Sequence, residues 1–390
     1  VRSRDGSGPT PVGKKALIAD AIGLIIDAGA WDYRPPQLAA VFLLHYYRAK
    51  DNCMHIGNID LDKTVLVIAE IGLNHEGDFA LAESMLKAAA RAGAHAVKFQ
   101  TIVPDKLVST LQKAAIDLFA RFQFSRDQFR RLKELADREG VIFLSTPFDI
   151  ESAEFLDPLV PAFKIASGDN NHWPLIEAVA KTGKPLLIST GLADLAAVGR
   201  TKDFVHGVWA REKKCPGALV FLHCVSLYPT PPDQANLFSI SFLKEALGTT
   251  VGYSDHTLGI DAAVLAVALG ARVIEKHFTL DKNHSDFPDH AISMDPADLA
   301  LLCRKITETE TLLGVRGVTV DADQLQMAKV ARRSIVAKTP LAAGRLVALA
   351  DLDWVRPGGG LPPGEEHRLT GKSLKRAVQK GEQILPEDVA

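Results

Sequence analysis

Lys98, Lys164, His256, His277, Glu70 and Glu275 stand where short apolar runs of this sequence end, and their types suggest a chemistry before any fold is considered. Lys98 and Lys164, with Thr146, Ser167 and Ser189 in the same pattern, offer point charges and hydroxyls suited to a phosphate or phospho-carboxylate. A strand-end lysine is also a candidate Schiff-base nucleophile, which keeps Lys164 and Lys276 open for carbonyl chemistry. His256 and His277 follow two successive runs, so their imidazoles can converge on a divalent ion. Two nitrogen ligands leave most of the coordination sphere to water and substrate, which suits Mn2+ better than a closed structural zinc. Glu70 and Glu275 are candidates for moving a proton or activating water; alternatively they pair with Lys98, Lys276 or waters on the ion.

Side chains this distant in sequence meet only if the runs that carry them are neighbours in one sheet. From residue 65 onward, apolar segments rich in β-branched residues alternate with segments of helical period. Strands are predicted over residues 65–71, 95–100, 141–145, 162–166, 185–189, 218–223, 250–253 and 272–277. Their unbroken apolar character suits parallel strands buried on both faces. Helices are predicted over 79–92, 174–182, 238–247, 260–269 and 296–312, and over 125–140, where Ser125 and Gln128 form a capping box and Gly140 a stop. Eight such alternations in about 250 residues predict a (β/α)8 TIM barrel, with a doubly wound open sheet as the competing arrangement. A barrel gathers its active site at the C-terminal strand ends. All eight runs end there in charged or hydroxyl residues, from Asn74-His75-Glu76-Gly77 and Gln100 through Asp169, His223, Ser226, Tyr228, Ser254 and Asp255. A ligand explains so many polar groups at one end better than packing does, because each buried polar group needs a partner.

Composition sets outer bounds. Apolar residues at 47% and charged residues at 24% are those of a globular chain, and a net charge of −2 gives no reason to expect nucleic acid or an anionic membrane as partner. Cys53, Cys215, Cys224 and Cys303 are scattered without paired spacing, which fits a reducing, cytoplasmic setting. The mildly apolar stretch 16–30 is interrupted by Asp20 and Asp27, and no run is long enough for a membrane span. Four parts are expected: an N-terminal extension of unknown role (1–54), the barrel (55–315), a polar connection (316–330) and a small β-rich domain (331–390). The last carries a weak internal repeat, Gly344, Val347, Asp351 and Leu352 being echoed at the same spacing by Gly381, Ile384, Asp388 and Val389.

Taken in order, the motifs resemble the sialic acid synthase family. They run from Ile68-Ala69-Glu70-Ile71-Gly72-Leu73-Asn74-His75-Glu76-Gly77 through Val97-Lys98-Phe99-Gln100-Thr101 and Ser145-Thr146-Pro147-Phe148 to Phe163-Lys164-Ile165-Ala166-Ser167-Gly168-Asp169. Ser189-Thr190-Gly191, Tyr228-Pro229-Thr230-Pro231, Tyr253-Ser254-Asp255-His256-Thr257 and Glu275-Lys276-His277-Phe278-Thr279 follow. The resemblance implies a (β/α)8 barrel followed by an antifreeze-like SAF domain that lids the partner's barrel in a domain-swapped homodimer. It also implies that Lys98, Thr146, Lys164, Ser167, Ser189, Ser226 and Ser254 bind phosphoenolpyruvate. By the same resemblance His256 and His277 hold the metal, and Gln100, Asp169, Tyr228, Asp289 and Arg356 face the sugar. Two positions depart from the pattern: several members carry Asn in place of Ser226, and Glu in place of Asp169.

The expected activity is condensation of phosphoenolpyruvate with an amino-sugar aldehyde such as N-acetylmannosamine to give a nonulosonic acid, with Mn2+ as cofactor and Mg2+ or Co2+ as substitutes. A legionaminate- or pseudaminate-type product, or a 9-phosphate, is the alternative within the class. Outside it stand a Schiff-base aldolase and a sugar-binding protein without turnover.

Overall fold

The computed structural model describes residues 54–214 and 217–390, so the extension read from residues 1–54 lies, but for Met54, outside the described residues. The chain divides into two compact units with the boundary between Gly314 and Val315.

In the first unit, a short antiparallel hairpin of β1 (His55–Ile56) and β2 (Ile59–Asp60) precedes eight strands. These are β3 (Leu66–Gly72), β4 (Ala96–Thr101), β5 (Ile142–Pro147), β6 (Phe163–Ile165), β7 (Leu186–Ser189), β8 (Leu219–Cys224), β9 (Thr250–Asp255) and β10 (Val273–His277). Every ladder among the eight is parallel, and the last strand pairs back onto the first, His277 lying opposite Glu70. That pairing excludes the open sheet, in which first and last strands do not meet. The order runs β5-β4-β3-β10-β9-β8-β7-β6, and β5 and β6 adjoin at the remaining seam.

Alternation along the strands separates two cores. Outward residues such as Val67, Phe99, Phe143, Phe221 and Ile274 pack beneath the helices. Inward residues Leu66, Ile68, Ala96, Leu144, Leu187, Val220, Leu222 and Val273 fill the barrel floor, which the hairpin closes with Ile56 and Leu61. Between them Gly252 is obligatory: a Cβ there would lie 2.4 Å from Leu222 Cδ2 and 2.6 Å from the Val273 carbonyl. Gly252→Ala is therefore expected to cost about 1–3 kcal/mol, read as a lower melting temperature; an unchanged melt would show that the floor can yield.

The predicted helices are present, including Arg126–Glu139 with its Ser125/Gln128 capping box and left-handed Gly140. The sequence reading did not anticipate Leu195–Arg211, which buries Val198, Thr201, Val205, Val208 and Trp209. The stretch read as a polar connection contains a helix, Ala322–Ala331, begun by the Asp321 carboxylate accepting from Gln324 N.

In the second unit, β11 (Ser334–Ala337) pairs antiparallel with β12 (Leu352–Val355). The sequence repeat is a structural one. Gly344 and Gly381 both take left-handed φ, +82° and +80°, and each is followed by a single 3-10 turn, Leu349–Asp351 and Pro386–Asp388. In each copy an aspartate accepts from a backbone N–H three residues earlier, Asp351 from Ala348 and Asp388 from Leu385, both at 2.9 Å, and pairs with an arginine, Arg345 or Arg376. Val347, Leu352, Ile384 and Val389 from both copies share one small core.

Candidate active site

Strand parity decides which side chains meet. Glu70, Lys98, Gln100, Thr146, Lys164, Ser189, Ser254, Glu275 and His277 continue the inward series above the floor, two residues on at each step. A register shift between Glu70 and Gly72 opposite β4 bends the end of β3.

Lys98 is the hub. Its Nζ lies 2.7 Å from Glu70 Oε2 and 3.6 Å from Glu275 Oε2, and donates to Thr146 Oγ1 at 2.9 Å. Lys164 Nζ lies 3.5 Å from Glu275 Oε1 and donates to the Ile165 carbonyl at 3.2 Å. Ser254 Oγ donates to Glu275 Oε1 at 2.9 Å, and Gln100 Nε2 to Glu70 Oε1 at 3.2 Å. The two lysines and two glutamates are at most 5% exposed. Sequence reasoning foresaw a basic cradle; the structure instead sets two carboxylates against two ammonium groups, so a bound anion must compete with Glu70 and Glu275 for the lysines.

The four groups are driven in different directions. Burial pushes Glu70 above the usual carboxylate range, even against Lys98. Burial also acts on Glu275, but Lys164 and Lys98, with the Ser254 hydroxyl, outweigh it and hold the carboxyl down at about 2. Burial opposes the charge on Lys98, yet Glu275 and Glu70 raise it above an ordinary lysine. Lys164, with less compensation for its burial, is lowered. Two carboxylates pushed apart in this way are suited to opposite proton-transfer roles.

Beside the network, a Cβ on Gly191 would lie 2.3 Å from Ser226 Oγ and 2.6 Å from Ser167 Oγ, so only glycine lets these hydroxyls converge. Ser189 Oγ, Ser226 Oγ, Glu275 Oε2 and His277 Nδ1 are buried without a hydrogen-bond partner. Leaving such groups unmatched costs about 1–3 kcal/mol each, which a purely structural polar cluster has no reason to bear.

The His256 and His277 rings lie 5.6 Å apart, with Tyr228 4.0 Å from the first and 6.1 Å from the second. His256 Nδ1 is 2.9 Å from the Val225 carbonyl. Donation there leaves Nε2 with its lone pair, and His277 adds the unpartnered Nδ1, 3.6 Å from Asp289 Oδ2. This donor set fits a divalent ion with open positions. Asp169 is half-buried, 3.9 Å from His172 Nδ1, and its carboxyl is raised by burial. Arg356 belongs to the second unit, where it is exposed.

Some strand-end residues face away from the site, among them His223, Asp255 and Lys276. His223 turns outward, its Nε2 2.8 Å from the Ala235 carbonyl. Lys276, between the inward Glu275 and His277, donates to Asp255 Oδ2 at 2.9 Å and to the Thr257 carbonyl at 2.5 Å. It does not partner Glu275, and its buried ion pair removes it as a Schiff-base candidate. A further cluster escaped the sequence reading: Glu76, His284 and His290 bring three potential metal-ligand atoms within 4.8 Å of one another. Glu76 stands in a strand-end motif, but nothing in the spacing ties it to residues more than 200 positions later.

Fold and site together define a barrel enzyme built to handle an anionic substrate with buried lysines and carboxylates. Residues 85–317 match the NeuB family and residues 332–390 the SAF domain, and the chain belongs to the NeuB family. It is 38% identical over 340 residues to the N,N'-diacetyllegionaminic acid synthase of Legionella pneumophila, covering 84% of this chain and 95% of that one. The N-acetylneuraminate-9-phosphate synthase of Mus musculus is 33% identical over 342 residues, covering 83% of this chain and 92% of the relative. Among solved structures, the N-acetylneuraminic acid synthetase of Leptospira borgpetersenii superimposes with a TM-score of 0.65 at 34% identity, over 70% of this chain and 94% of that chain.

Proposed function

We propose that the chain condenses phosphoenolpyruvate with an N-acetylmannosamine-like aldehyde sugar and water, giving a nonulosonic acid and phosphate. The buried network of Lys98, Lys164, Glu70 and Glu275, bordered by unpartnered hydroxyls, is the observation that carries this reading. Lys98, Thr146, Lys164, Ser167, Ser189, Ser226 and Ser254 take the phosphate and carboxylate of phosphoenolpyruvate, and Gln100, Asp169, Tyr228, Asp289 and Arg356 take the sugar. C3 of phosphoenolpyruvate attacks the aldehyde carbon, whose oxygen gains a proton and becomes a hydroxyl. Water adds to the electron-poor C2, loses a proton, and the tetrahedral carbon expels phosphate to leave a ketone. The Glu70–Lys98 pair supplies the proton to the aldehyde oxygen; ionised Glu275 steadies the positive charge at C2 and accepts the proton from water. Lys98 and Lys164 hold the two anionic ends in reacting geometry. His256 and His277 would hold a divalent ion, Mn2+ before Mg2+ or Co2+, which would supply Lewis-acid polarisation of the sugar aldehyde.

The test is phosphate release from phosphoenolpyruvate with a panel of aldehyde sugars, with Mn2+ and with EDTA. Sugar-dependent, EDTA-sensitive release is expected; release that ignores the sugar, or none from folded protein, would refute the assignment. Asp169, one methylene shorter than the Glu of several family members, favours a second reading in which a diacetamido hexose, as the legionaminic acid relative's name implies, outranks N-acetylmannosamine.

The exposed apolar residues Leu312, Leu313, Val315, Val318, Leu325 and Met327 support a homodimer in which Arg356 serves the partner's barrel. Mixing inactive Arg356→Ala chains with inactive Lys98→Ala chains is then expected to restore activity, since a mixed dimer holds one intact site. Arg356 acting on its own barrel predicts no rescue. Among the described residues no helix is long and apolar enough to cross a membrane, and a reaction fed by phosphoenolpyruvate is set in the cytoplasm.

A further inference from the structure

We infer that Glu76, His284 and His290 form a second divalent-cation site, of the kind that zinc prefers, joining the turn after β3 to the loop after β10. Their ligand atoms lie within 4.8 Å of one another, and His290 Nε2 is 3.0 Å from Glu76 Oε1. Ligands around a tetrahedral Zn2+ sit about 3.3 Å apart, given bonds of about 2.0–2.1 Å. The Glu76–His290 edge is thus already at coordination spacing. His284 need move inward by no more than about 1.5 Å to match it, and it is an exposed loop residue.

Two features suit this cluster to a cation. The first is the tautomer of His290. The ring lies 2.7 Å from Thr279 Oγ1 through Nδ1, and Thr279, whose hydroxyl reaches the Asp281 carbonyl at 3.1 Å, can accept an Nδ1 proton, so the tautomer that frees Nε2 for a metal is available. Without a cation the other tautomer lets Nε2 donate to Glu76 Oε1, which also accepts from the Ser285 hydroxyl; a cation would take the place of that Nε2 proton. A ring nitrogen fixed as donor by a hydroxyl, with the other turned to the ligand position, is the arrangement of metal-binding histidines. His290 is fully buried, so the ring has no room to turn away. The second is Glu76 itself, held at φ +46°. This left-handed conformation is unfavourable for a residue other than glycine, asparagine or aspartate, and it persists where the surroundings impose it.

Two imidazoles and one carboxylate leave a fourth position open. An ion at this site would fasten the loop that leads into the short helix Pro288–Ile292, which carries Asp289 next to His290. The site is separate from the His256–His277 pair, although one loop serves both.

The test uses the chelator-stripped full chain carrying His256→Ala, which breaks the other candidate site. Zn2+ is titrated in competition with a chromogenic chelator, and Co2+ is added to read its ligand-field absorption. One equivalent of Zn2+ per chain is expected, with affinity falling at least ~100-fold on adding either His284→Ala or Glu76→Gln. Because His284 is exposed, the metal-free melting temperature of its variant should not move, which separates lost ligation from lost folding. Absence of a Zn2+ equivalent in the His256→Ala chain, or one that survives His284→Ala undiminished, overturns the inference. Zn2+ stoichiometry unchanged by His256→Ala in otherwise wild-type protein would instead count against the strand-end pair, so the two readings fail independently.

Discussion

Glu275→Gln is expected to lower kcat/KM for phosphoenolpyruvate by about 10²–10⁴ and to move the alkaline limb of activity to lower pH. The substitution keeps the shape of the side chain and its contact with Ser254, but removes the charge shared between Lys98 and Lys164. Lys98 retains Glu70 at 2.7 Å. Lys164 has no comparable second carboxylate: Glu275 is the main influence raising its affinity for a proton against burial. Once that charge is gone, burial, which already lowers Lys164, is opposed still less, and Lys164 gives up its proton closer to neutrality, weakening its hold on an anionic substrate as the pH rises. Stability should change in the acid range as well. Glu275 is depressed from its ordinary 4.5 to about 2, so its contribution to stability is present above 4.5 and is lost as the pH falls toward 2. The variant should lack that loss. A pH–rate profile and acid melts of both proteins measure the two effects, and a wild-type alkaline limb in the variant would mean that Glu275 does not govern Lys164.

The barrel was legible because its signal is repeated. Eight apolar runs fixed the strand positions to within about two residues, since parallel strands buried on both faces tolerate few polar residues before their ends. The same logic located the site: polar residues that appear only at the C-terminal end of each run must face a common hollow. What the sequence left open was side. Lys276 and His223 sit among site residues in sequence, and only the pleat shows that they turn outward, Lys276 to Asp255 and His223 to the Ala235 carbonyl. Leu195–Arg211 was missed because Gly199, Thr201 and Gly207 dilute its helical period, and tertiary burial of Val205, Val208 and Trp209 overrides weak local propensity. The hairpin at His55–Asp60 was missed for a related reason. Strands of two residues carry no period, and the hairpin exists because Ile56 and Leu61 close the barrel floor.

Pairing was equally hidden. Nothing in the spacing of Lys98, Lys164, Glu70 and Glu275 tells whether the lysines offer free charge or are already neutralised, because the answer depends on ångström-scale separations across four strands. The same holds for Glu76 and His290, 214 residues apart in sequence yet 3.0 Å apart in space.

His277→Ala is expected to reduce sugar-dependent phosphate release by at least ~10³ and to abolish retention of Mn2+ on dialysis, while phosphoenolpyruvate still raises the melting temperature. The separation follows from position. His277 Nδ1 is buried without a hydrogen bond, with Asp289 Oδ2 at 3.6 Å and flanked by the His256 and Tyr228 rings, whereas Lys98, Lys164 and their hydroxyls make no contact that depends on it. Deleting the ring removes an unmatched polar group along with its packing, so the two effects on stability partly cancel and the fold should survive. Tyr228→Phe is the control, since it keeps the ring packed at a tilt against His256 and removes only the hydroxyl; it should raise KM for the sugar and leave Mn2+ bound. Turnover that persists in His277→Ala with Mn2+ undiminished would place the functional ion elsewhere, and Glu76, His284 and His290 would then be the first ligands to test by the same measurement.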